Sequence, residues 1–282
     1  MDIGTVTEFA PAPGATWRDG DAWLGGGTWL FSQPQPGLSR LLDLHAFGWP
    51  SLVESADGLQ IAATCTLAEL SSWRPAGCWP AVELFGQCCN ALLGTFKVWN
   101  TATVGGNICL SLPAGPMTSL TASLDGVASI WSPDGSARDV PVADFVTGAG
   151  RNVLRPGELL RSVSVPAASM RCHTAFRQAS LSPLGRSAAV VIARRAAGDS
   201  GVVVTVTAAT PRPVQLRFGT LPSPDAAAAA LDAAATRYHD DVHGAPKWRA
   251  AMARRHVAEV VAELGTSERA KGARPGGERG DT

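Results

Sequence analysis

The chain has 282 residues, of which 45% are hydrophobic, enough to build a packed soluble core in one large domain or two ordinary ones. Its 24 Lys and Arg balance 24 Asp and Glu, so no overall basic field draws it to nucleic acid or an anionic membrane. No stretch approaches the roughly 20 apolar residues that cross a bilayer, and residues 1–16 lack a basic segment followed by an apolar run; a cytoplasmic location is expected.

In chain order, Leu41-Leu42-Asp43-Leu44, Leu59-Gln60-Ile61-Ala62-Ala63 and Val127-Ala128-Ser129-Ile130 read as short strands interleaved with helices. One helix is predicted over residues 80–93, opening on a proline suited to the first turn. The alternation argues for an α+β fold. From about Arg171 the texture changes. Residues 188–193, 202–207 and 214–218 read as three strands of a small antiparallel sheet, followed by helices over 225–237 and 246–264. In the second helix Val257, Val260, Val261 and Leu264 share one face, which predicts docking on that sheet. The expected division is a first domain over residues 1–168, a C-terminal domain over 169–265, and a disordered tail over 266–282, which lacks large apolar residues.

Six cysteines (Cys65, Cys78, Cys88, Cys89, Cys109 and Cys172) form no Cys-x-x-Cys pair, so neither a zinc site nor an iron–sulfur cluster is spelled out. They read as buried free thiols. His239 and His243 flank two aspartates but have no identifiable third ligand, so a polar inter-helix connection is expected there. No Gly-x-Ser-x-Gly turn supports hydrolase chemistry. Arg249, Arg254 and Arg255 on the last helix read as solvated charge or a salt-bridged partner surface rather than nucleic-acid contacts.

Two glycine loops carry the chemistry. Gly25-Gly26-Gly27-Thr28 lies between apolar residues, where positive φ and close backbone approach are available. Thr103-Val104-Gly105-Gly106-Asn107 repeats the design with a hydroxyl and an amide. Consecutive N–H groups in such turns make anion sites, and two of them suit a diphosphate-bridged ligand. Neither loop fits the Gly-x-Gly-x-x-Gly dinucleotide pattern, because Leu30 stands at the third glycine, nor the phosphate-loop pattern ending in Gly-Lys-Ser/Thr.

Further short motifs follow in order: Leu42-Asp43-Leu44, Pro113-Ala114, Leu154-Arg155-Pro156-Gly157-Glu158-Leu159-Leu160, and Ala175-Phe176-Arg177-Gln178-Ala179-Ser180. Together with the loops they resemble the flavoprotein subunits of the xanthine dehydrogenase and carbon monoxide dehydrogenase family, over residues 21–264. The resemblance implies a two-subdomain FAD-binding fold of the vanillyl-alcohol oxidase-like type, split near residue 53, followed by a small C-terminal domain with the three-stranded sheet. It also implies non-covalent FAD. Backbone N–H groups of Leu24, Gly25, Gly26, Gly27, Thr28, Trp29 and Leu30, and of Thr103, Val104, Gly105, Gly106 and Asn107, would hold the diphosphate. Leu93 and Leu160 would offer apolar contact, and Arg177 a cation near the flavin. No residue of this chain is expected to act as a catalytic acid or base.

The implied partners are a large subunit with the molybdenum cofactor and a small subunit with 2Fe–2S clusters, in a dimer of heterotrimers. Electrons would pass from the clusters through FAD to NAD, a quinone, another carrier or oxygen. Two other readings are a free-standing flavin oxidoreductase and a non-catalytic assembly subunit without FAD. Trp29, Trp99 and Pro116, where the family carries other residues, support the last.

Overall fold

The computed structural model describes residues 4–196 and 201–272, the last six by their backbone alone. Strands β1 (Glu8–Pro11), β2 (Asp21–Leu24) and β3 (Arg40–Asp43) form a parallel sheet in the order β1-β3-β2. Asp21 and Arg40 stand opposite each other in the β2–β3 register, and the Arg40 Nε donates to Asp21 Oδ1 at 2.8 Å. That guanidinium holds the buried Asp21 carboxyl below its ordinary range. A charge pair buried at a sheet edge costs desolvation, which the bidentate geometry offsets.

A second sheet begins with β4 (Leu52–Ser55) and β5 (Gly58–Ala62). The chain then runs through α1 (Leu67–Ser72), α2 (Glu83–Ala91), α3 (Phe96–Trp99), α4 (Val104–Leu110) and α5 (Pro116–Ser123). It returns as β6 (Val127–Trp131) and β7 (Ala137–Pro141), passes α6 (Val142–Phe145) and the β8 (Val146–Gly148) and β9 (Arg151–Asn152) hairpin, and closes with β10 (Leu159–Pro166). The five strands lie antiparallel in the order β4-β5-β10-β6-β7. Alternation places Leu59, Ile61, Ile130 and Val163 in a core shared with Leu84, Phe85 and Leu120 of the helices. The helix expected over 80–93 is present but opens as a 3-10 turn at Pro80–Val82 and ends at Ala91.

After α7 (Ala167–Met170) the last sheet has four antiparallel strands, not the expected three: β11 (His173–Ala179), β12 (Ala189–Arg195), β13 (Val202–Thr207) and β14 (Val214–Phe218). The unforeseen strand is β11, whose His173, Arg177 and Gln178 break the apolar alternation; its pairing with the hydrophobic β12 overrides that pattern. Helices α8 (Pro224–Ala234) and α9 (Pro246–Gly272) cover the sheet, and Val257, Val260, Val261 and Leu264 are buried against it as predicted. Helix α9 continues through residues 266–272, so that part of the expected tail is helical; residues 273–282 lie outside the described residues. Once a helix is nucleated, each further residue adds a hydrogen bond, and the segment is rich in Glu, Arg, Ala and Lys, which favour it.

Arg249 is the main correction among the charges, being 1% exposed rather than solvated. It donates to the carbonyls of Gly244, Ala188 and Ala208 at 2.6–2.9 Å and pairs with Asp241, fastening the start of α9 to the ends of β12 and β13. Arg254 and Arg255 pair with Asp232 and Glu259. Asp241 also lies 3.3 Å from His239, so the segment between the helices is a polar connection, and no cluster of metal-binding side chains occurs among the described residues. Of the cysteines, Cys65, Cys88, Cys89 and Cys172 are buried, Cys109 half-buried, and Cys78 exposed against expectation, in the turn before Pro80. Burial pushes the thiols of Cys65, Cys89 and Cys109 up to about 12.

Helix α5 joins the halves. All eight of its residues are buried, with α2 on one side and β12 and β13 on the other. Ser119 lies 2.6 Å from Thr207, Thr121 donates to Met117 O and Ser123 to Leu120 O, while the buried Thr118 hydroxyl has no partner within the protein.

Candidate functional site

Strand β2 delivers the first glycine loop directly against the second. A Cβ on Gly26 would lie 1.5 Å from the carbonyl oxygen of Thr101, and one on Gly25 would lie 2.9 Å from Thr103 Oγ1. Gly27 has φ +67° and would drive a side chain into the Phe31 ring. Backbone approach therefore requires Gly26 and positive φ favours Gly27, and the consequence of the loop is electrostatic. Among the described residues, the N–H groups of residues 25–29 have no acceptor within the chain, while Phe31 and Ser32 bond back to Gly27 and Trp29. Successive unpaired N–H groups beside a concavity favour an anion.

The second loop is built differently from the expectation. Thr103 caps α4 by accepting from the Gly106 N–H at 3.1 Å, and Val104, Gly105 and Asn107 donate to Cys65 O, Ala63 O and Thr103 O. Four of its five N–H groups are thus already bonded within the fold, and Val104 and Gly105 are buried away from the cleft. Gly105 is needed because a Cβ there would lie 2.5 Å from that of Ala63. This loop is the buttress, and the N–H groups without an acceptor are those of the first loop. Asn107 follows the same logic: its Oδ1 accepts from Met117 N–H at 3.0 Å, fixing the start of α5, so its amide nitrogen is the group left to face the cleft. Pro116 sits in the first turn of that buried helix, where its missing N–H costs nothing.

Between the loops lies a cleft of about 480 Å³. Of the residues singled out in the sequence, Leu24 and its loop through Leu30, Leu93, Thr103, Gly106 and Asn107 line it. Leu93 follows α2 with φ +55°, a strained conformation for leucine, and is 39% exposed. Trp99 packs on the core beside the cleft without lining it. Two candidates stand elsewhere. Leu160 is buried in the core of the five-stranded sheet, because strand alternation turns it inward opposite Ile130. Arg177 is bound by Glu259 and Glu263 of α9 at 3.4 and 2.7 Å, so its charge is already balanced. The cation that does line the cleft is Arg186, in the connection between β11 and β12. Neither periodicity nor a motif marks it in the sequence. Val98 and Ala114 complete apolar wall that was likewise unforeseen.

A strand-delivered N–H cradle, an apolar wall and one cation suit a diphosphate-bridged dinucleotide with a flat aromatic portion. Over more than nine-tenths of the chain the fold is similar to two solved structures. Quinoline 2-oxidoreductase from Pseudomonas putida 86 shares 20% identity at a TM-score of 0.78, covering 95% of this chain and 99% of that one. Reconstituted CO dehydrogenase from Oligotropha carboxidovorans shares 20% identity at 0.80, covering 93% and 98%. A xanthine dehydrogenase from Oryza sativa subsp. japonica is 28% identical over 135 residues, which are 46% of this chain and only 10% of that much longer protein. Residues 18–168 match the model of the FAD binding domain in molybdopterin dehydrogenase, and the chain belongs to that family.

Proposed function

We propose that the cleft holds FAD non-covalently and that the chain is the electron-transfer flavoprotein subunit of a molybdenum hydroxylase. The observation that carries this reading is the run of acceptor-free N–H groups at residues 25–29, pressed by Gly26 against the second loop. These groups, with the Asn107 amide nitrogen, would hold the diphosphate; Leu93 and Val98 would cover apolar surface; and Arg186, rather than Arg177, would supply the cation. FAD supplies one- and two-electron redox chemistry when bound. A guanidinium beside it favours its anionic reduced form and raises its potential.

The finer assignment rests on the relatives. The family belongs to molybdopterin dehydrogenases, and the fold is similar to chains of CO dehydrogenase and quinoline 2-oxidoreductase. We take the partners to be a large molybdenum-cofactor subunit and a small 2Fe–2S subunit, in a dimer of heterotrimers in the cytoplasm, with NAD or another carrier receiving the electrons. The division into a two-subdomain FAD domain over residues 1–168 and a C-terminal domain over 169–265 belongs to the same proposal. Co-expression with the neighbouring reading frames tests it. A brown complex with flavin, iron–sulfur and molybdenum in one elution peak is expected; a folded chain that takes up no FAD contradicts the proposal.

A further inference from the structure

A second concavity, of about 510 Å³, lies at the seam between α6 with the β8–β9 hairpin on one side and the β13–β14 connection with the end of α8 on the other. It shares no lining residue with the flavin cleft. Its volume falls within the range of small-ligand sites.

Three arginines gather in it. Nine arginines elsewhere (18, 40, 138, 177, 194, 217, 249, 254 and 255) are ion-paired. Among the described residues Arg74, Arg151, Arg155, Arg161, Arg171, Arg186, Arg212 and Arg237 have no ion pair, and three of them, Arg151, Arg212 and Arg237, gather in this one cleft. The opposing charge there is the single carboxylate of Asp144 and the carbonyl end of α8 at Ala234, equivalent to roughly half a charge. In a chain with no net charge, an unbalanced group of guanidinium ions in one concavity focuses a positive potential.

The local backbone holds these groups in place. Gly148 lacks the side chain that would meet the Arg151 guanidinium, since a Cβ there would lie 2.7 Å from Nη2, so Arg151 folds over the hairpin. Pro211 and Pro213 flank Arg212 and fix the chain's φ, and the Thr210 hydroxyl donates to the Arg212 carbonyl at 2.7 Å. The exposed hydroxyls of Thr147 and Thr236 add donors that suit an oxyanion.

We propose that this seam is a binding site for a small polyanion bearing a phosphate or diphosphate group. Planar guanidinium forks match phosphate oxygens in pairs, and three of them call for a ligand with more than one negative charge. Such a ligand would bridge the α6 region and the C-terminal sheet, linking its occupancy to how firmly the two halves are joined.

Inorganic pyrophosphate is the probe, titrated by calorimetry into the full chain at low salt, with and without saturating FAD. Saturable binding that weakens as salt rises, persists when FAD is present, and falls at least tenfold in the R151A/R212A/R237A variant is expected. The three positions are exposed, and melting curves check that the variant folds. The triple Arg→Lys variant, which keeps the charge but loses the forks, should bind with intermediate affinity. Absence of binding in the wild-type chain, or equal binding in the triple alanine variant, overturns the proposal. So does finding these arginines without affinity for pyrophosphate but protected by a co-expressed partner subunit, which would assign them to a protein interface. The comparison of wild type with the triple variants in the absence of FAD does not depend on whether FAD binds.

Discussion

Gly26 shows how one missing side chain can decide a site. A methyl group 1.5 Å from the Thr101 carbonyl cannot be accommodated without moving the backbone, so Gly26→Ala separates the loops and misplaces the N–H cradle. FAD affinity should fall by roughly tenfold or more, each tenfold step corresponding to about 1.4 kcal/mol, in a fluorescence titration. Leu93 gives the opposite test. Its left-handed backbone costs about 1–2 kcal/mol, which glycine does not pay, so Leu93→Gly should hold or raise the melting temperature while weakening FAD through lost apolar contact. A third comparison separates the two arginines. Arg186→Gln should lower the reduction potential of bound flavin, whereas Arg177→Gln should leave it unchanged and affect only the docking of α9. Equal effects on the potential would contradict the placement. The glycine triplet was legible because few other residues tolerate such close approach. Arg186 was not, since it lies in an aperiodic connection and only the folded chain brings it to the cleft.

At the scale of elements, two polar groups fasten the layers. Glu158, at the start of β10, accepts from Arg138 of β7 at 2.7 and 3.0 Å and from the Arg155 N–H, and these contacts bring its carboxyl down to about 2. The folded value lies below the ordinary 4.5, so the stabilisation is complete above about pH 4.5 and is lost as pH falls toward 2. Denaturant unfolding should show wild type more stable than Glu158→Gln at pH 6 and the two converging near pH 2; a constant difference across that window would contradict the assignment. Arg249→Leu removes the buried guanidinium that serves three carbonyls and Asp241, and should cost on the order of 3–5 kcal/mol in the same measurement. The apolar face of α9 and the alternation in β14 were readable as period 3.6 and period 2. Strand β11 and the burial of Arg249 were not, because both depend on neighbours far along the chain: β12 for the first, and the carbonyls of Ala188 and Ala208 for the second.

Across the whole molecule the buried helix α5 couples cleft to core. Asn107 accepts from the N–H of Met117 at its start, and Ser119 meets Thr207 of the C-terminal sheet, so loop geometry and inter-sheet packing are joined by one element. Sequence alone indicated two anion-binding loops; in the folded chain four of the five N–H groups of the second are bonded within the fold and those of residues 25–29 are not. Motif spacing does not carry that difference, since a Gly-Gly pair has the same sequence whether its N–H groups face a ligand or a neighbouring strand. The most direct measurement is the absorption spectrum of the purified chain after incubation with FAD and gel filtration, set beside Gly26→Ala treated identically. A stoichiometric flavin spectrum in the wild type and its loss in the variant are predicted; a folded wild-type protein that emerges colourless would contradict the assignment of the cleft.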